Sequence, residues 1–309
     1  MDETLKAALA AWVEEHRPGA RLGKAWPLTG GVSARMIAFE AVRPGEVSRF
    51  ILRQPNAHSG GGNPAAARRE HRLLAWLDDS GAAVQEVHDL DVFGARFGAP
   101  SLILEYVEGE PDFAPADPIL FAQCMAAALT HVHWHGQAGN GLDFLPEITG
   151  PARAHLDGLG DRLHAGSDET RWLAALDGRF PPPELNEPTL LHGDFWPGNV
   201  IWHGFSSTII DWEEAAWGDP LADLAISRLD LLWMLGPEAM EAFTAHYVNL
   251  NEVDITHLPE WDLSAALRPY GALETWAAAW PDHGRPDITA ATMAAGLTWF
   301  AAQALARLT

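Results

Sequence analysis

The chain has 309 residues, 48% of them apolar, and a formal net charge of −22 at pH 7. That length suits two lobes or domains better than one core, and the composition excludes a disordered or fibrous chain. No apolar run approaches ~18 uncharged residues, so no transmembrane helix is expected, and a single cysteine, Cys124, excludes an intrachain disulfide.

In chain order, an amphipathic helix is expected over residues 3–15, with Leu5, Leu9, Trp12 and Val13 on one face and "HRPG" ending it. It lacks a basic flank and a long apolar centre, so it does not read as a signal peptide. Three strand-like runs follow, "RLGKAWPLTG", "SARMIAFEAV" and "SRFILRQ", joined by short Gly-containing turns. After the loop "NAHSGGGNP", a helix is expected from Pro64 to about Leu77, with Pro in the first turn and Gly81 beyond the end. "VQEVHDLDVFG" and "APSLILEYV" read as a hairpin pair. Residues 1–107 therefore read as a small antiparallel-sheet lobe with one main helix.

"EGEPDFAPADP" reads as a linker, and beyond it the pattern is mainly helical. A long Ala-rich helix, "DPILFAQCMAAALTHVHWHG", and two further helical stretches lead to "LLHGDFWPGNVIW" and then "STIIDW". Helices return from Pro220 to the end. The expected class is α+β, with a larger, mainly helical lobe over residues 108–309. Cys124 lies in an apolar helical run and is expected to be buried and structural. With no disulfide and no leader pattern, the expected setting is reducing and cytoplasmic.

The charge is uneven. Residues 1–107 carry 12 Lys and Arg against 13 Asp and Glu, whereas residues 108–309 carry 8 against 29. No basic stripe exists to neutralise phosphates along a strand, so nucleic acid is not an expected partner. An acidic second part would attract a cationic small molecule. Solubility is the plainer reading of the same surplus.

Chemistry concentrates in His192, Gly193, Asp194 and Asn199, an H-G-D-x-x-x-x-N run, with Asp211 twelve residues further on. The segment between reads as a hairpin, strand "NVIW", turn "HGFSS", strand "TIID", which would return Asp211 to the vicinity of Asn199. A carboxylate and an amide oxygen brought together on a hairpin suit a hard cation such as Mg²⁺. Asp194, on the same loop, could accept a proton from a hydroxyl nucleophile. One base and two magnesium ligands are the minimum set for phosphoryl transfer from a nucleotide, and the Asp–x4–Asn spacing is that of a protein-kinase catalytic loop.

With "LLHGDFWPGNVIW" and "IIDWEEAAWGDPLADLA" in this order and spacing, the chain resembles the aminoglycoside phosphotransferase and choline kinase-like family. "ILRQ", "REHRLLAWL", "LILEYVEGE" and "ALTHVHWH" match more loosely, and the likeness runs from about residue 24 to the end. The resemblance implies a bilobal, protein-kinase-like fold. It implies Asp194 as catalytic base, Asn199 and Asp211 as Mg²⁺ ligands, and ATP or GTP as phosphoryl donor. His192, Asp219 and Asp223 would brace the catalytic loop, although an acid such as Asp223 also suits a helix's first turn by itself. The acceptor would be a hydroxyl of a small molecule, with a cationic amino sugar or amino alcohol favoured by the acidic second lobe.

The first lobe would hold the nucleotide. Kinases place a strand lysine on the phosphates, but Lys6 and Lys24 are the chain's two lysines and neither lies on the third strand. Arg53 stands there instead, with a planar fork and a permanent charge. Glu70 shares the apolar helix face of Leu73, Leu74 and Leu77, and a charge on a buried face needs a partner, which Arg53 supplies. Backbone amides of Gly31, Val32 and Ser33 in "LTGGVSARM" would cover phosphates, although G-G-x-S alone is an ordinary turn. Backbone groups of Glu105 to Val107 would meet the adenine edge. Arg53 in place of lysine is the feature that favours the rival reading, a nucleotide-binding pseudokinase acting as scaffold or regulator. His131 and His135 have zinc-ligand spacing, but no third ligand accompanies them, so they read as structural.

Overall fold

The computed structural model describes residues 1–28, 34–55, 64–137, 141–160, 162–204 and 206–308. These residues form two units, one of residues 1–109 and 208–213, the other of residues 110–207 and 214–309.

The first unit is built on a five-stranded antiparallel sheet. Its strands are β1 (Arg21–Pro27), β2 (Ala34–Arg43), β3 (Glu46–Pro55), β4 (Val87–Asp91) and β5 (Ser101–Glu105), in the order β1-β2-β3-β5-β4. Helix α1 (Glu3–His16) starts where Asp2 accepts the Leu5 amide at 2.8 Å. Its buried stripe, Leu5, Leu9, Trp12 and Val13, joins Ile37, Phe39, Phe50, Leu52 and Ile103 in one core. Each such burial is worth roughly 1.5–3 kcal/mol. The Trp12 indole nitrogen keeps a partner, donating to Asp89 at 2.8 Å.

Side chains alternate along β3, so with Phe50 and Leu52 toward α1, Ile51 and Arg53 face the other way. Helix α2 (Pro64–Asp79) buries Ala67, Glu70, Leu73, Leu74 and Leu77, and Glu70 meets Arg53 on that second face. Residues 208–213 belong here through Ile209, whose amide donates to the Ala83 carbonyl at 3.1 Å.

The second unit is mainly helical. It holds α3 (Pro118–Gln137), α4 (Thr149–Leu159), α5 (Asp168–Ala175), α6 (Leu221–Leu235), α7 (Pro237–Leu250), α8 (Leu258–Leu267), α9 (Leu273–Ala277) and α10 (Ala290–Arg307). Helix α6 is buried on nearly every side and packs against α7, α8 and α10, and its buried polar side chains are paired, Arg228 with Asp262 among them. Strand β6 (Thr189–Leu191) pairs with β9 (Ala216–Gly218), and β7 (Val200–His203) pairs with β8 (Ser206–Ile209), along which the chain passes into the first unit. No helix among the described residues is long and apolar enough to cross a membrane.

One expectation is overturned. Cys124 is exposed on α3 rather than buried. The run around it is apolar on every side, so periodicity does not mark which face turns inward, and Phe121, Ala122 and Met125 take the core instead.

Candidate active site

In the second unit, the His192–Asn199 loop leaves a fully buried strand, β6. Gly193 has φ of +82°, and a Cβ there would lie 2.1 Å from the Glu214 carbonyl oxygen. Only glycine fits such a turn without displacement. Asp223, in the first turn of α6 and fully buried, accepts the His192 amide at 2.7 Å and the Gly193 amide at 2.8 Å. His133 Nε2 lies 3.3 Å from the same carboxylate, and Tyr247 meets His133 Nδ1 at 2.6 Å. Burial alone would raise the Asp223 pKa, but the bond and charge of His133 and the His192 groups outweigh it and hold it below the usual range. Ser227, one turn further along α6, donates to the Phe195 carbonyl at 2.7 Å.

This clamp fixes the chemistry-bearing side chains. Asn199 is 6% exposed and donates Nδ2 to the Asp194 carbonyl at 2.9 Å, which leaves Oδ1 as the side chain's acceptor oxygen. His192 is buried, with Nδ1 3.3 Å from the Asp194 amide. Asp194 Oδ1 accepts from Arg268 at 2.9 Å. Asp219 lies apart from these contacts. It accepts from Asn186 and the Leu221 amide, each at 3.0 Å, and from Trp261 at 3.3 Å, so it ties the start of α6 to α8. Gly193→Ala is expected to lower stability by about 1–3 kcal/mol, the usual toll of overpacking, readable as a fall in thermal midpoint.

In the first unit, Arg53 is 3% exposed and donates to three carboxylates. These are Glu70 at 2.7 Å, Asp211 at 2.8 Å and Glu213 at 2.7 Å. A guanidinium has five donors in a fixed fork and can serve all three. Burial, with the Asp211 and Glu213 charges, pushes Glu70 up to about 7 despite Arg53. Asp211 and Glu213 supply carboxylate oxygens, the donor type a hard divalent cation takes, and Arg53 occupies one oxygen of each. Asp211 has φ of +64°, the one non-glycine residue with positive φ among the described residues. Backbone strain of this kind concentrates at functional positions.

The adenine-edge expectation meets a partly occupied backbone. Glu105 donates its amide to Glu86 at 2.8 Å and accepts from Gln85 at 3.0 Å, and Tyr106 donates to Arg49 at 3.2 Å. Val107 follows, half-buried, beyond the strand end. Gly31, Val32 and Ser33 lie outside the described residues. Among the described residues, no group of three His, Cys, Asp or Glu side chains is arranged to hold a metal by itself, and His131 packs edge-on against Trp134.

The sequence pattern of the phosphotransferase enzyme family (APH) matches residues 24–262, most of the chain. The chain belongs to that family. Its protein-kinase-like fold is shared with solved phosphotransferases. A macrolide 2'-phosphotransferase of Brachybacterium faecium aligns with a TM-score of 0.61 at 20% identity, covering 94% of this chain and 98% of that one. An amicoumacin kinase, solved with AMP-PNP, Ca²⁺ and amicoumacin, aligns with a TM-score of 0.61 at 17% identity over 88% of each chain. Among curated relatives, acyl-CoA dehydrogenase family member 10 of Mus musculus is 27% identical over 190 residues. That match takes 57% of this chain but 17% of the mouse protein, so the chain corresponds to a small part of that relative.

Two residues of this phosphotransferase escaped the sequence reading. Glu213 had a local signal, a second carboxylate two residues after Asp211 in D-x-E. Arg268 had none. It stands 74 residues from Asp194, just past the end of α8, with no motif around it.

The raised carboxyls fix a direction for pH. Glu70 starts from 4.5 and reaches about 7, while Asp230 starts from 3.8 and is carried to about 8 by burial and the Asp194 charge, against Arg268. A folded-state pKa above the unfolded value gives stability present at low pH and lost as pH rises through the folded value. The metal-free protein is therefore expected to melt at a higher temperature at pH 5 than at pH 8.5. Asp230→Asn should flatten the upper part of that slope. Asp223, with its lowered pKa, acts oppositely and limits stability on the acid side.

Proposed function

We propose that the protein transfers the γ-phosphoryl group of a Mg²⁺-bound nucleoside triphosphate, ATP or GTP, to a hydroxyl of a small molecule. The observation that carries this reading is the Asp223 clamp, which locks Asp194 and Asn199 onto one rigid loop. Rigid placement of the reacting groups supplies most of what phosphoryl transfer asks of a protein.

In this reading Asp194 accepts or orients the proton of the acceptor hydroxyl. Asn199, through Oδ1, and Asp211 hold the metal ion, and Glu213 adds a carboxylate beside Asp211. Their carboxylate and amide oxygens suit Mg²⁺, which when bound would neutralise charge on the phosphates. Arg53 anchors the nucleotide phosphates, with Glu70 holding its fork in place. Gly31, Val32 and Ser33 cover the phosphates, and the Glu105–Val107 backbone meets the base. Residues 1–107 then act as the nucleotide lobe and residues 108–309 as the catalytic and acceptor lobe. The net charge of −21 over residues 108–309, from 8 Lys and Arg against 29 Asp and Glu, favours an acceptor that is cationic overall, such as an amino sugar or amino alcohol. The cytoplasm, with its Mg·nucleotide pool, is the setting this chemistry fits.

Titration calorimetry with ATP, with and without Mg²⁺, tests the nucleotide half of the proposal. Wild type should bind ATP more tightly with Mg²⁺, and Asp211→Asn should remove most of that gain. ATP binding unaffected by Mg²⁺ would count against it.

A further inference from the structure

Helix α6 carries a polar stripe distinct from its buried Arg228–Asp262 pair. Asp223, Ser227 and Asp230 stand at i, i+4 and i+7, so they share one helix face. The first two are buried and hold the backbone of residues 192, 193 and 195. Asp230, one turn on, is partly accessible. Burial and the Asp194 charge push the Asp230 carboxyl up, and the Arg268 charge opposes them. The charges of Asp194, Asp230 and Glu214 in turn stabilise the Arg268 guanidinium. The side chains of Arg268 and Asp194 are 32% and 36% exposed, so a small molecule can reach the pair.

Resting on the phosphotransferase reading, we propose that Arg268 is a positioning residue for Asp194 and that Asp230, on the α6 face that carries the Asp223 clamp, belongs to the same charge cluster. The 2.9 Å bond from Arg268 takes Oδ1 of Asp194 and fixes the carboxylate plane, which turns Oδ2, with its long 3.4 Å bond from Asn199 Nδ2, toward the acceptor hydroxyl. A guanidinium at this distance also satisfies the Asp194 charge. The ammonium of a cationic acceptor is therefore read by other carboxylates of the second unit, not by Asp194. The acceptor group next to the reacting hydroxyl is neutral or anionic, because a cation there would meet Arg268.

The arrangement has a readout that a merely structural arginine would not move. In the full-length protein with ¹³C-labelled aspartate, the Asp230 resonance is assigned by its loss in Asp230→Asn and followed against pH. The expected midpoint lies near 8. It should fall by about one pH unit in Asp194→Asn, which removes a like charge, and rise by a similar amount in Arg268→Met. A midpoint in the ordinary carboxylate range, or one that neither substitution moves in folded protein, overturns the cluster. The positioning role is read from hydrolysis of Mg·ATP with water as acceptor. Arg268→Met should lower kcat at least tenfold with KM for ATP within twofold, and Arg268→Lys should regain part of the loss. Unchanged kcat in a folded Arg268→Met protein overturns positioning. If wild type bound no Mg·ATP, the functional reading would fail, while the Asp230 titration would still decide the cluster.

Discussion

Asp194→Asn is expected to lower acceptor phosphorylation by about 10²–10⁴-fold, the range a positioned general base contributes. The substitution keeps shape and the capacity to accept from Arg268 through the amide oxygen, so the loop should stay folded under its Asp223 clamp. Removing a group that acts on the acceptor hydroxyl alone lowers kcat and leaves nucleotide affinity near its original value. Continuous ADP release gives the first quantity and titration calorimetry with Mg·ATP the second. Equal losses in both would place Asp194 among the nucleotide contacts instead.

Arg53→Met has the second large effect, and it falls first on stability. Glu70 is 5% exposed and has Arg53 as its close ion-pair partner. Breaking a buried pair by removing one member is destabilising by about 3–5 kcal/mol, because the remaining charge is left uncompensated. The double variant Arg53→Met, Glu70→Gln should recover part of that loss, since contacting residues couple by about 0.5–3 kcal/mol. Arg53→Lys should fall between, because an ammonium on one stem cannot span three carboxylates as a fork does. Urea unfolding read by tryptophan fluorescence measures all three. Mg·ATP affinity should fall with the same rank, as the phosphate anchor is lost.

How much of this was legible in the sequence follows from the range of the forces involved. Glu70 was readable because it obeys a local period, sharing the helix face of Leu73, Leu74 and Leu77, and Arg53 because it stands on the third strand where the kinase-like pattern holds a lysine. The Asp194 loop was readable because its chemistry is carried within a few residues of chain, and Asn199 does bond back to Asp194. The tie from Asp223 to the His192 and Gly193 amides spans 31 and 30 residues, and only family resemblance pointed to that segment. Arg268 reaches Asp194 from beyond α8 through helix packing, which leaves no short-range pattern. Strand β9 has three residues, too few for alternation to show, and its pairing with β6 is set by tertiary contact. Cys124 was misplaced for a related reason, since a uniformly apolar run names no inner face.

The central claim is that a hydroxyl of a small molecule receives the γ-phosphoryl group under the control of Asp194. Phosphorus-31 NMR of the protein with Mg·ATP and a set of aminoglycosides, amino alcohols and other hydroxyl-bearing metabolites tests it most directly. The account predicts a new phosphomonoester resonance that grows in step with ADP, with at least one acceptor, and that is lost in Asp194→Asn protein that still binds Mg·ATP. Nucleotide bound without any monoester across the set, or monoester formed equally by Asp194→Asn, would contradict it.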